Sequence, residues 1–229
     1  MSFNSFSSHI LEFIYPPRCM FCRKIILPGK TCCEVCESTL VPSHWDARIM
    51  ESQSGKTLVC MAPDEYNGDL RKAMIAFKFH NKPKHADFFA KRMVAQLEQS
   101  SFFTRADGIT SVPLSRERLR QRGYNQSELI AREIAAQIGL TYSTLLEKNV
   151  ENHEQHRLHK KDRQENVRGV YRLLPGYPVK GRRILLVDDI LTTGATLGEC
   201  AFVLYNAGAK EVLCAAACRV PSGQESFSS

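Results

Sequence analysis

Residues 184 to 196 read ILLVDDILTTGAT, and this stretch limits the fold more than any other. Ile184, Leu185, Leu186 and Val187 leave no polar face, so a strand built from them must be covered on both sides. Strands of that kind belong to parallel sheets flanked by helices. The rest of the chain supplies the parts. Strands are expected at 57–61, 109–112, 184–187 and 212–217. Helices are expected at 85–98, 127–138 and 196–206, the second closed by Gly139 and the third near Gly208. The expected fold is therefore α/β, a largely parallel sheet with helices on both faces. Hydrophobic residues make up 43% of 229, enough for one good core with a small appendage. No apolar run approaches the length of a membrane span. The first residues lack a basic region and a small-residue cleavage site, so no secretory signal is read there.

In a parallel sheet, ligands sit beyond the carboxyl ends of the strands. Asp188 and Asp189 are expected at such an end, and the residues after them open a helix. A helix N-terminus with small residues offers free backbone N–H groups to an anion. Gly194 lets the backbone approach closely, while Thr192, Thr193 and Thr196 add hydroxyls. Carboxylates would repel a phosphate, so they address something else: sugar hydroxyls and a bridging Mg²⁺. The inferred ligand is a sugar phosphate.

This stretch resembles the phosphoribosyl pyrophosphate (PRPP) signature of type I phosphoribosyltransferases. The resemblance implies that Asp188 and Asp189 hold the ribose hydroxyls, and that Thr192, Thr193, Gly194, Ala195 and Thr196 hold the 5-phosphate. Purine-salvage members usually carry an acid at the first loop position. Thr192 stands there and cannot exchange a proton at neutral pH, which weakens a purine-salvage reading.

Five of the nine cysteines fall within residues 19 to 36. Cys19–Cys22 and Cys33–Cys36 form two C-x2-C knuckles, the spacing of a tetrahedral Zn²⁺ site. Cys32 offers an alternative to Cys33 with a wider knuckle. Four protein ligands leave no open position, so the zinc is structural, and so small a piece needs it to fold. Buried thiols together with a metal site fit a reducing cytoplasm. The chain divides near residue 45: a zinc-binding segment at 1–45, an α/β domain at 55–220 and a tail at 221–229 that reads as disordered.

The net charge is +7, which suits an anionic partner. Arg116, Arg118, Arg120 and Arg122 follow the expected strand at 109–112 and Pro113. Four guanidiniums there suit pyrophosphate or a nucleic-acid backbone; a solvated helix face is the alternative. A second basic stretch spans 153–171. His153, His156 and His159 in it fan around a helix with no cysteine or acid to complete a metal set, so it reads as a positive surface or mobile flap. Tyr124 and Tyr171 lie beside the two stretches, either to stack bases or to pack in the fold.

Taken in order, the double C-x2-C head, YNGDLRKAMIAFKF (66–79), VPLSRERLRQRGYNQ (112–126), QHRLHKKDRQENVRGVY (155–171) and ILLVDDILTTGAT are similar to the ComF family, also called GntX-type phosphoribosyltransferase-like proteins. The likeness runs from about residue 11 to 217. It implies the type I phosphoribosyltransferase fold with an N-terminal zinc ribbon, PRPP with Mg²⁺ as ligand, and cytosolic handling of incoming single-stranded DNA in natural competence. It also implies a helicase or other DNA-uptake protein as partner. It points to Tyr66, Lys78, Arg116, Arg122, Gly123, Asn125, Gln126, Gln155, Arg163 and Asn166 besides the acids and loop. Taken alone, Tyr66 reads as a core tyrosine and Lys78 as a surface lysine. Were phosphoribosyl transfer to occur, Mg²⁺ and basic groups would stabilise departing pyrophosphate as the ribose C1 gains cationic character. A phosphoribosyltransferase acting on an unidentified small-molecule acceptor is the alternative function.

Overall fold

The computed structural model describes residues 16–40, 48–51, 57–99, 105–148 and 169–221. In chain order the elements are α1 (Glu34–Thr39), β1 (Arg48–Glu51), β2 (Thr57–Met61), β3 (Asp64–Glu65), α2 (Gly68–Phe79), α3 (His85–Glu98), β4 (Gly108–Ser111), α4 (Arg116–Arg122), α5 (Gln126–Ile138), β5 (Leu146–Lys148), β6 (Tyr171–Leu173), β7 (Arg183–Leu191), α6 (Ala195–Asn206) and β8 (Glu211–Arg219).

The main sheet has the order β1-β2-β8-β7-β4, with β3 also on β8. Pairing is parallel throughout except for β1, which lies antiparallel on β2 at one edge. β7 and β8 form the centre, and their side chains alternate between two cores. Leu185, Val187, Leu213, Ala215 and Ala217 face a cluster with Phe77 of α2, Phe89 and Met93 of α3, and Ile130 and Ile134 of α5. Ile184, Leu186, Val212, Cys214 and Ala216 face the other side, against Leu197, Cys200 and Leu204 of α6 and Leu146 and Tyr171 of the antiparallel β5–β6 pair. Both faces of the sheet are covered, as the apolar run at 184–187 requires.

The caps follow local chemistry. Asn125 accepts a hydrogen bond from the Ser127 N–H and so starts α5 one residue earlier than expected, while Gly139 ends it in the left-handed region at φ 69°. The largest departure concerns β7. Its ladder with β8 continues past Val187 through Asp188↔Ala216 and Ile190↔Cys218 to Leu191↔Arg219. The two acids therefore stand inside the strand near its carboxyl end rather than after it. Ile190 and Leu191 resume the apolar pattern beyond them, and β8 is long enough to pair with both.

The cysteine-rich head packs into the core on the α3 side. Cys19, Met20 and Cys32 belong to that cluster, and Phe21 meets Phe88 edge-on with ring centres 5.4 Å apart. Arg92 of α3 adds a polar tie: it grips buried Asp64 through Nε and Nη2, both at 2.6 Å, and donates to the Leu40 carbonyl at 3.2 Å. No helix among the described residues is long and apolar enough to cross a membrane.

Candidate functional site

Neighbouring residues of a strand face opposite ways, so β7 aims its two acids differently. Asp189 accepts an ion pair at 2.9 Å from Lys78 of α2, with both side chains largely shielded from solvent. Lys78 is thus no surface lysine. Asp188 accepts from the Ser127 hydroxyl at 3.0 Å and from the Asp189 N–H at 2.8 Å. Burial, and next the charge of Asp189, push the Asp188 carboxyl up to about 7, against the pull of those hydrogen bonds and of Lys78. Asp188 thus stays ready to take a proton in the ligand-free protein.

Just past the acids, Thr192 and Thr193 are exposed, and Gly194, Ala195 and Thr196 are half-buried. Gly194 is the N-cap of α6 at φ 86°, a left-handed conformation that a β-carbon resists. It makes no side-chain cap, and the Thr193 hydroxyl accepts from the Ala195 N–H at 3.3 Å. The first turn of a 12-residue helix therefore opens on a loop of hydroxyls at the carboxyl end of the central strand. The acids and all five loop residues fall at this one place.

The four arginines separate. They form α4, capped by Ser115, which accepts from the Arg118 N–H, and stopped by left-handed Gly123. Arg116, Arg118 and Arg120 are exposed. Arg122 turns inward, donating to Gln126 Oε1 at 3.0 Å and lying over the Phe79 ring at 5.0 Å. Burial lowers its pKa, and the charge of Asp189 works the other way. Gln126 is fully buried, and its Nε2 has no hydrogen-bond partner among the described residues. Asn125 donates to the Val112 carbonyl at 2.9 Å and so holds the start of α5 against the end of β4. Tyr66 is half-buried against the core.

Both tyrosines considered for stacking bases are packed into the fold. Tyr124 packs on Phe77, donates its hydroxyl to the Phe77 carbonyl and accepts from the Lys82 N–H. Tyr171 is buried in the second core. Among the described residues Phe79, which the sequence pattern does not single out, is the exposed large aromatic, with 63% of its surface open. Gln155, Arg163, Asn166, the three histidines His153, His156 and His159 and the basic positions among 153–168 lie outside the described residues, as does the tail from 222 onward.

At the head, the sulfurs of Cys19, Cys22, Cys33 and Cys36 all lie within 4.8 Å of one another. The Cys22–Cys33 separation of 3.7 Å matches the tetrahedral edge of roughly 3.8 Å that Zn–S bonds of about 2.3 Å give. Backbone N–H groups point at the sulfurs: Cys33 N–H to Cys19 Sγ at 3.4 Å and Cys36 N–H to Cys33 Sγ at 3.5 Å. Burial opposes ionisation of Cys19, but N–H groups of Cys22, Cys33 and Phe21 outweigh it and bring the thiol to about 6. The donor set fits Zn²⁺. Cys32 is outside the cluster: it sits in the core with its thiol donating to the Cys33 carbonyl, and burial pushes its pKa up.

Fold and head together define a class, a phosphoribosyltransferase domain carrying a zinc ribbon. Residues 124–227 match the Phosphoribosyl transferase domain model, and residues 10–47 match the Double zinc ribbon domain model. Among the described residues the head brings together one set of four cysteines. Within that class the chain belongs to the ComF family. It is 27% identical over 207 residues to DNA utilization protein YhgH of Escherichia coli K12, covering 88% of this chain and 89% of the relative. The YhgH protein of Salmonella typhi is 30% identical over 159 residues, covering 68% and 69%. Competence protein F of Haemophilus influenzae is 30% identical over 148 residues, covering 59% and 62%.

Proposed function

We propose that this ComF-family protein binds PRPP with Mg²⁺ at the end of β7 and handles incoming single-stranded DNA in the cytosol. The observation that carries the reading is the junction of an acid pair with the open N-terminus of α6 across the Thr192–Thr196 loop. Asp188 and Asp189 would take the ribose hydroxyls and the Mg²⁺ that accompanies the ligand. Thr192, Thr193, Thr196 and the N–H groups around Gly194 and Ala195 would take the 5-phosphate. Lys78, paired with Asp189, and Arg122, on which the charge of Asp189 acts, would meet pyrophosphate. Arg116, Arg118 and Arg120 are free to contact a nucleic-acid backbone, and the names of the relatives, a DNA utilization protein and a competence protein, support that use. Cys19, Cys22, Cys33 and Cys36 would hold one structural Zn²⁺, whose chemistry is to fix the head and not to react.

Melting curves with and without Mg²⁺-PRPP test the donor site. A ligand at about 100 times its Kd stabilises the fold by about 2.7 kcal/mol. The joint replacement Thr193→Ala with Thr196→Ala removes hydrogen bonds to a charged group worth about 1.5–3 kcal/mol each, so affinity should fall at least tenfold. An unchanged shift in this double variant would move PRPP elsewhere or exclude it.

A further inference from the structure

We propose that Phe79, backed by Arg122, is a stacking platform for a base of single-stranded DNA beside the β7 site. The inference rests on the DNA-handling reading above and names the residue that would contact the bases. α2 buries Leu70, Ala73, Met74 and Phe77 at helical spacing. Phe79, two residues after Phe77, falls off that stripe and stands 63% exposed at the end of the helix. An isolated exposed apolar side chain is ordinary; its setting here is not. The Arg122 guanidinium lies over the ring at 5.0 Å and is itself held by Gln126 at 3.0 Å. The next residue back, Lys78, is fixed on Asp189 at 2.9 Å. Tyr124 ties the end of α2 to the end of α4 by bonding both the Phe77 carbonyl and the Lys82 N–H. The ring is therefore on a rigid mount with a cation on one face, next in sequence to the lysine that pairs with Asp189. Exposed Arg116, Arg118 and Arg120 share α4 with Arg122. Aromatic rings among basic groups are the means by which single strands are held without sequence preference: bases stack on the rings and phosphates meet the cations. The occupant is a polyanion because three arginines lie beyond what the stacked base uses.

Fluorescence anisotropy tests the platform with two probes of about a dozen units, an oligothymidylate and an abasic oligodeoxyribose phosphate of equal length. The wild-type protein should bind the thymidylate about fivefold or more tightly than the abasic strand, the effect expected for stacking one base. In Phe79→Ala the thymidylate should fall to the abasic level while the abasic affinity and the salt slope stay unchanged, since no charge is removed. Phe79→Trp should retain the preference, and melting curves of both variants should match wild type because the side chain is exposed. Equal thymidylate binding by wild type and Phe79→Ala would overturn the platform and leave DNA handling standing. Wild-type protein that bound neither probe would refute the DNA-handling reading itself. Displacement of the thymidylate by free thymidine at low millimolar concentration would make the ring a small-molecule subsite and overturn the assignment to DNA.

Discussion

Replacing Asp188 by Asn should stabilise the ligand-free protein and abolish its response to PRPP. The carboxyl sits inside β7 next to Asp189, and its pKa rises from 3.8 to about 7. A raised acid pKa means that the folded state holds a proton that the unfolded chain has released. Stability is therefore full below about pH 4 and falls as pH rises toward about 7, beyond which the loss is constant. At about 1.4 kcal/mol per pKa unit, ionising Asp188 costs the fold at most about 4 kcal/mol. Rearrangement around a charge beside Lys78 takes up part of that, so about 2 kcal/mol is a working figure. For a chain of 229 residues this corresponds to a Tm change of roughly 4–8 °C. Asn keeps the oxygen that accepts from Ser127 and from the Asp189 N–H and cannot ionise. The Asp188→Asn protein should thus melt several degrees above wild type at about pH 8, and the gap should close near pH 4–5. Ribose hydroxyls and Mg²⁺ need the ionised acid, so the wild-type Mg²⁺-PRPP shift should grow between about pH 6 and 8 and be missing from the variant. Differential scanning fluorimetry across pH reads both effects. An Asn variant that melts lower than wild type at about pH 8, or a gap that does not change with pH, would refute the account of this acid.

Three further outcomes follow from the same geometry. Elemental analysis should find about one Zn per chain, Cys22→Ser should lower it, and full occupancy in the quadruple variant of Cys19, Cys22, Cys33 and Cys36 would end the zinc assignment. Asp64→Ala strands the shielded Arg92 guanidinium and should cost about 3–5 kcal/mol in urea unfolding; a loss below about 1 kcal/mol would show that the tie to α3 is dispensable. Joint replacement of Arg116, Arg118 and Arg120 by Ala should weaken oligothymidylate binding and make its log–log salt dependence shallower by up to about 0.7 per lost phosphate contact; an unchanged slope would place the phosphate contacts on other basic groups.

What could be read from the sequence was local. The two-sided strand at 184–187 gave the parallel sheet, the helical stripe at 127–138 gave α5, and the small residues after Asp189 gave the opening of α6. The strand's true end was not legible, because it depends on β8, whose pairing extends β7 to Leu191. The antiparallel edge strand β1 went unread for a similar reason: its partner, β2, rather than its own pattern, makes it a strand. Spacing alone left Cys32 and Cys33 as alternatives. The backbone separates them, sending Cys32 into the core and Cys33 to the sulfur cluster.

The partners of the acids explain why the rest of the site was hidden. Lys78 meets Asp189 across 111 residues of chain, and Ser127 meets Asp188 across 61. No periodicity or motif encodes such a meeting; it arises because α2 and α5 pack on the same face of the sheet and deliver their ends to the end of β7. The same delivery sorts the arginines of α4. Arg122 alone of the four lies between the end of α2 and the start of α5, where the Phe79 ring and Gln126 Oε1 receive it, and the other three keep their solvation. One packing event thus assigns two roles to one basic run: a fixed cation close to the acids, and a free basic surface leading away from them. On the proposed reading, PRPP would draw on the fixed cation Arg122, which also backs the Phe79 ring, and single-stranded DNA on the three exposed arginines.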